Sequence, residues 1–291
     1  MAKILITTDS TCDLPAEITE KYNIHVVPLN IEMDGESFRD GLDVQPDDLY
    51  DYYARTGKLA RSSACSIGDY EAFFRQFTDE GYQVVHVGMA DYLSTTLHSA
   101  QLAAEEVEGV FVVNSRRLST GIGLLAIRGA ELIEQGLSAQ EIAETLEADS
   151  YKADVSFVLN TLEYMCAGGR CSSVAKFGAN LLKIKPQIVV YDHKMDVGKK
   201  PRGKLVNCIM QYIEEQLSDP ETICTDRIFF THSGLPQEII DEAVANIRSI
   251  IDFKEVIVTR AGCVISCHCG PGTGGVLFMR TRPVFAPAAE E

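Results

Sequence analysis

Three short stretches of this chain carry side chains suited to holding an anion. Leu93-Ser94-Thr95-Thr96 lies where a loop turns into a helix. The first amides of a helix have no partner within it, and the dipole is positive there. Hydroxyls at the same turn add donors, so a carboxylate or phosphate fits. The same serine serves equally as an ordinary helix cap. Arg61-Ser62-Ser63-Ala64-Cys65-Ser66 is a small-residue loop with three hydroxyls, which also reads as a solvated turn. His268-Cys269-Gly270-Pro271-Gly272-Thr273-Gly274-Gly275 sets a histidine beside glycines that allow tight turns and close backbone approach. It has no Gly-Lys-Ser/Thr, and it does not run from a strand into a dinucleotide-type helix, so it is not a nucleotide fingerprint.

Other groups invite competing chemistry. Gly168-Gly169-Arg170 holds a guanidinium on a tight turn, for an anion or for a structural ion pair. Ser94 as nucleophile with His268 as base would make a hydrolase or phosphotransferase. Gly-x-Ser-x-Gly is absent, however, and no residue can be named that would orient the histidine. Cys263, Cys267, His268 and Cys269 cluster without the paired Cys-x-x-Cys spacing of common zinc sites. No catalytic residue, metal ligand or cofactor is assigned.

Elements of an α/β chain position these groups. Lys3 to Ile6 predicts a strand, followed by a polar loop in which Asp13 caps a helix with Pro15 in its first turn. His25 to Ile31 predicts a second strand, and Asp34-Gly35 a hairpin with 36–39 pairing back. Strand and helix then alternate, with Ser119 capping one helix and Ser138 with Glu141 forming a capping box for the next. This pattern predicts a doubly wound parallel α/β domain over 1–150 that carries the hydroxyl loops. Strands near 155–159, 187–191, 227–231, 255–259 and 275–279, with helices at 174–182, 204–217 and 236–251, predict a second, mixed α/β domain over 151–282. Residues 283–291 read as a frayed tail.

Charge narrows the partners. The chain of 291 residues has 26 Lys and Arg against 42 Asp and Glu, a net charge of −16. That excludes general binding to nucleic acid, which needs a basic face. The densest basic run is Lys199-Lys200-Pro201-Arg202-Gly203-Lys204. No apolar run reaches the ~18 residues of a membrane span, and the N-terminus lacks the apolar region of a signal peptide. Nine cysteines without small-scaffold spacing read as reduced thiols of a cytoplasmic protein.

Leu162-Glu163-Tyr164 with Gly168-Gly169-Arg170, then Ile184-Lys185-Pro186, resembles the DegV family of bacterial fatty-acid-binding proteins. Thr8-Asp9-Ser10, Asn114-Ser115, Gly121-x-Gly123 and His268-x-Gly-Pro-Gly extend the resemblance along nearly the whole chain. The family's Leu-Ser-Gly-Thr-Tyr appears as Leu93-Ser94-Thr95-Thr96-Leu97, and its Thr-Ser-Gln-Pro-Ser as Ser62-Ser63-Ala64-Cys65-Ser66. Asp91 falls where the family often has serine. The resemblance implies a long-chain fatty acid such as palmitate in a tunnel between the two domains. Its carboxylate would lie on Ser62 and Ser94, with Ser63, Thr95 and Thr96 nearby. It further implies the binding subunit of a two-part fatty acid kinase that serves phospholipid metabolism. Such a chain is not itself an enzyme; it presents its ligand to a separate ATP-dependent kinase. Arg170, Arg202 and His268 would serve that partner or the transfer.

Overall fold

The computed structural model describes residues 3–173, 184–191 and 193–285. In chain order the first half is β1 (Lys3–Asp9), a 3₁₀ turn (Ser10–Cys12), α1 (Ala16–Lys21), β2 (Ile24–Val27), β3 (Asn30–Met33), β4 (Glu36–Arg39) and α2 (Pro46–Thr56). It continues with β5 (Arg61–Ser63), α3 (Ile67–Thr78), β6 (Tyr82–Gly88), α4 (Thr96–Glu106), β7 (Val110–Asn114), α5 (Thr120–Glu134) and α6 (Ala139–Ser150). The second half holds β8 (Ala153–Val158), α7 (Glu163–Gly168), β9 (Gln187–Val190), β10 (Met195–Val197), α8 (Leu205–Gln216) and β11 (Ile223–His232). After these come α9 (Gln237–Ile250), β12 (Glu255–Arg260), α10 (Cys263–Cys269) and β13 (Gly274–Arg280). The helix expected over 174–182 lies outside the described residues.

Two sheets stand as expected. The first is wholly parallel, in the order β2-β1-β6-β7, and the second is mixed, in the order β10-β9-β8-β13-β11-β12. A third, antiparallel sheet, β4-β3-β5, was not expected. It arises because the run from His25 to Ile31 is two strands rather than one. Pro28 cannot donate to a ladder, so the chain leaves β2 there and enters β3. The hairpin at Asp34-Gly35 forms with both residues at positive φ, 51° and 87°.

Helix α5 joins the two sheets. Eleven of its residues are buried, so it is apolar all round rather than amphipathic. Its glycines permit contact on both sides. A Cβ at Gly129 would stand 2.8 Å from Ile6 of β1, and one at Gly121 2.5 Å from Val155 of β8. One cluster of buried side chains accordingly runs from Ile6 and Val85 through Ile122 and Leu125 to Phe157 and Leu277. Helix α10, though late in sequence, packs with Leu29, Ile31 and Leu49 of the first half through Cys263, Val264 and Cys267.

Two caps differ from expectation. Asp13 closes the 3₁₀ turn at φ 51°, and Pro15 holds the N-cap position of α1. Ser119 precedes α5 but makes no side-chain cap; its hydroxyl donates to Asp13 Oδ2 at 2.5 Å. The tail is docked at its start. Val284 N donates to Tyr151 O at 2.8 Å, and the Phe285 ring meets Tyr151 edge-on and lies under Arg117.

Candidate functional site

A cavity of about 340 Å³ brings most of the expected residues together. Ser62, Ser63, Ser94, Thr95, Arg170 and His268 all line it, and much of the remaining wall is apolar, including Met89, Leu118, Phe157, Met165, Met195 and Ile265. A smaller space of about 30 Å³ shares Leu118, Phe157, Ile265 and Cys269 with it and is bordered further by Ser119 and by Thr231, Gly275 and Leu277 of the second sheet. A wider polar cleft, about 880 Å³, shares Ser62, Arg170 and His268 from the other side.

Sheet pairing delivers Ser62. The open edge of β3 accepts β5, so Arg61–Ser63 is strand rather than loop, with Ser62 opposite Ile31 and Ser63 opposite Asn30. Ser94 and Thr95 stand at the start of α4. Ser94 Oγ accepts from Thr96 N at 3.2 Å, and Thr95 holds the N-cap position without a side-chain cap. Thr96 is the exception among the hydroxyls. It is fully buried and its Oγ1 is bonded to Tyr70 Oη at 2.9 Å, away from the cavity. Asp91 is exposed at the rim, where solvent screens it.

His268 lies in the last turn of α10, and its Nε2 lies 2.9 Å from Ser62 Oγ. The hydrolase reading paired it with Ser94; the structure pairs it with Ser62, across 206 residues. Burial, and then the Arg170 charge, lower its pKa to about 4, so the ring is neutral at pH 7. Arg170 links the end of α7 to the Ser94 loop. Its Nε donates to Leu93 O at 3.4 Å and its Nη1 to Gly168 O at 2.7 Å. Arg202 lies elsewhere. It is exposed, bridges to Ile184, and lines neither the cavity nor the cleft.

Buried carboxylates that sequence reasoning did not place at the site hold its walls. Asp40 Oδ1 accepts from Cys263 N and Asp13 Oδ1 from Gly262 N, both at 2.8 Å, so the first half of the chain grips the start of α10. Ser10 ties Asp40 in turn to Leu29, donating at 2.8 Å and accepting at 3.1 Å. Asp9 Oδ2 accepts from Met89 N at 3.1 Å at the start of the Ser94 loop. Burial pushes the Asp13 carboxyl up to about 8 despite the Ser119 and Gly262 hydrogen bonds. Helix α10 gave no signal of its own, since five of its seven residues are buried and no polar face marks its period. Among the described residues no group of three His, Cys, Asp or Glu is arranged to hold a metal ion. Cys263 and Cys267 instead donate to the carbonyls of Val44 and Val264. No helix among the described residues is long and apolar enough to cross a membrane.

The sequence model of the DegV family, whose proteins are described as uncharacterised, matches residues 3–281. A DegV domain-containing protein of Clostridium perfringens is 31% identical over 286 residues, covering 96% of this chain and 99% of that protein. A fatty-acid-binding DegV family protein from Thermus thermophilus superposes with a TM-score of 0.87 at 28% identity, covering 96% of this chain and 99% of that one. A DegV lipid-binding protein from Thermotoga maritima gives a TM-score of 0.84 at 27% identity, covering 97% and 99%. With the family model matched over residues 3–281, and a relative above 30% identity over nearly its whole length, this chain belongs to the DegV family.

Proposed function

We propose that this protein binds a long-chain fatty acid such as palmitate, with the carboxylate on Ser62 and Ser94 and the tail in the apolar cavity. The observation that carries the reading is one cavity with two hydroxyls, one from strand β5 and one from the loop before α4, beside an apolar wall. Its volume falls within the ~300–1,000 Å³ of small-molecule sites. The space behind Phe157 extends the route for a tail. A sixteen-carbon tail contributes on the order of 10 kcal/mol gross at ~0.8 kcal/mol per methylene. Each charge-assisted bond to the head adds roughly 1.5–3 kcal/mol. Affinity therefore comes mainly from the tail, and the hydroxyls orient the head. The relatives from Thermus and Thermotoga, described as fatty-acid-binding and lipid-binding, support the same reading.

The finer part of the proposal is that the bound carboxylate is presented to a separate ATP-dependent fatty acid kinase, for phospholipid synthesis in the cytoplasm. The polar cleft on the outer side of Ser62, Arg170 and His268 supports this, because it would give a second reactant access to the head group. Arg170 and Arg202 would stabilise charge on the transferring phosphoryl group or hold the partner, and His268 would stand at the point of transfer.

The test is direct. Delipidated protein is titrated with labelled palmitate and oleate, and organic extracts of freshly purified protein are analysed by mass spectrometry. Micromolar or tighter binding and a co-purified fatty acid are expected. Absence of binding to either acid overturns the reading.

A further inference from the structure

Most charges that line the outer cleft are already engaged. Lys58 pairs with Asp34 at 2.9 Å, Tyr52 donates to the same carboxylate at 2.8 Å, and Tyr53 donates to Glu163. Arg170 donates to two backbone carbonyls, of Leu93 and Gly168. Arg61 is different. It lines the cleft, is exposed, and has no ion pair or side-chain hydrogen bond among the described residues. Its backbone is fixed all the same, because Arg61 pairs with Glu32 in the ladder of β5 on β3. Glu32 stands opposite, yet no ion pair closes between the two. A guanidinium carried on a strand, with its donors unused, is placed to receive an anion. Ser62 is next in sequence and lines both the cavity and the cleft. A group attached outward to a head group on Ser62 would therefore enter the space that Arg61 and Arg170 border.

We propose that Arg61 is the specificity-determining residue of the outer cleft, seating, with Arg170, a phosphoryl group carried on the head of a long acyl or alkyl chain. The proposal rests on the fatty-acid reading of the inner cavity. Phosphate oxygens accept two parallel N–H bonds from one guanidinium, a geometry that lysine cannot supply. Lys58 is moreover held by Asp34, so its charge is already answered. The chain as a whole carries −16 and repels a phosphate, which leaves the seat to local cations. Glu32 sets the opposite sign beside Arg61 and weakens the seat. A free carboxylate has no group that extends into the cleft, so Arg61 separates the phosphorylated chain from the acid.

Delipidated protein is titrated with palmitate and with hexadecyl phosphate, a stable probe of the same chain length. The wild type should bind both. R61A should weaken hexadecyl phosphate about tenfold and change palmitate less than about twofold. R61K should fall between, since lysine keeps the charge and loses the fork. E32Q removes the neighbouring negative charge and should tighten hexadecyl phosphate about twofold. K58A should leave the ratio of the two affinities within about twofold of the wild type. Phosphorus-31 spectra of the bound probe supply a second readout. Its second ionisation, at about pH 6 for a free monoester, should lie lower in the wild type than in R61A, because a guanidinium favours the dianion. Equal effects of R61A on both ligands, no effect on either, a fall in ratio in K58A as large as in R61A, weaker phosphate binding in E32Q, or an ionisation that R61A does not move each overturn the role of Arg61. Palmitate binding without hexadecyl phosphate binding overturns the seat and leaves the fatty-acid reading standing. Binding of neither overturns the fatty-acid reading and the seat with it.

Discussion

Ser62, Arg170 and His268 form one wall with two unlike faces. The inner face closes a cavity of about 340 Å³ with Met89, Leu118, Phe157 and Ile265 among its other walls. The outer face opens on a cleft of about 880 Å³ bordered by Glu32, Asp34, Lys58, Arg61 and Glu163. An apolar chain gains free energy only on the inner side, where it leaves water. The charges outside remain wet. Lys58 and Asp34 pair at 2.9 Å with 68% and 50% of their side chains exposed, a geometry worth ~0–1 kcal/mol. The contrast teaches a division of labour. On the proposed function, affinity for a tail would reside inside and recognition of a polar partner outside, and three residues border both spaces.

The hardest blow to that division is a charge in the inner chamber. Met195→Asp should weaken palmitate binding by about 3 kcal/mol or more, because an unpaired carboxylate is desolvated against the tail. Lys58→Ala in the outer cleft should leave the titration unchanged. Comparable losses in both variants, measured on protein of intact circular dichroism, would erase the distinction.

Next come the hydroxyls. Ser94→Ala or Ser62→Ala should each cost roughly 1–3 kcal/mol of binding, less where water fills the gap. Ser94→Ala with wild-type affinity and stability takes Ser94 out of the site.

A smaller effect separates the buried ring from its setting. The His268 pKa is lowered to about 4 in the fold, against 6.5 ordinarily. The unfolded chain thus binds more protons between those values. The ring's contribution to stability is complete above pH 6.5 and is lost as pH falls toward 4. His86, at about 3, and His232, at about 4, share the sign, each through burial first. H268Q should therefore show a shallower fall in urea midpoint from pH 7 to about pH 5 than the wild type. Parallel curves would mean that His268 titrates normally.

The smallest effect on binding belongs to Arg202. It is exposed and lies off both faces of the wall. Arg202→Ala should bind palmitate as the wild type does while losing kinase-dependent acyl-phosphate formation. Equal loss of both would bring it into the lipid site, and loss of neither would leave it a solvated charge.

What was legible in the sequence was what neighbours decide. Ser138 and Glu141 do form a capping box, with Glu141 N donating to Ser138 Oγ. Asp34-Gly35 turns the hairpin because positive φ is cheap there. The apolar stripe of α8 buries Ile209 and Ile213 as its period demands. The alternation of strands and helices specified a parallel sheet followed by a mixed one. Each of these rests on free energies settled within a few residues of chain.

Tertiary structure decided the rest, because contacts between distant residues override local preference. Asp13 has the chemistry of a cap for α1, yet it serves Gly262 and Ser119 instead. Ser119 gives up its cap for the same reason. Thr96 sits beside Ser94 in sequence, and the helical turn still sends its hydroxyl to Tyr70. Helix α10 has no polar face to announce it, since both sides are covered. The Ser62–His268 pair joins residues 206 apart, and no spacing rule reaches that far. Residue types alone determined which groups could bind an anion. Only the packing of β5 against β3, and of α10 on Asp13 and Asp40, placed them around one cavity.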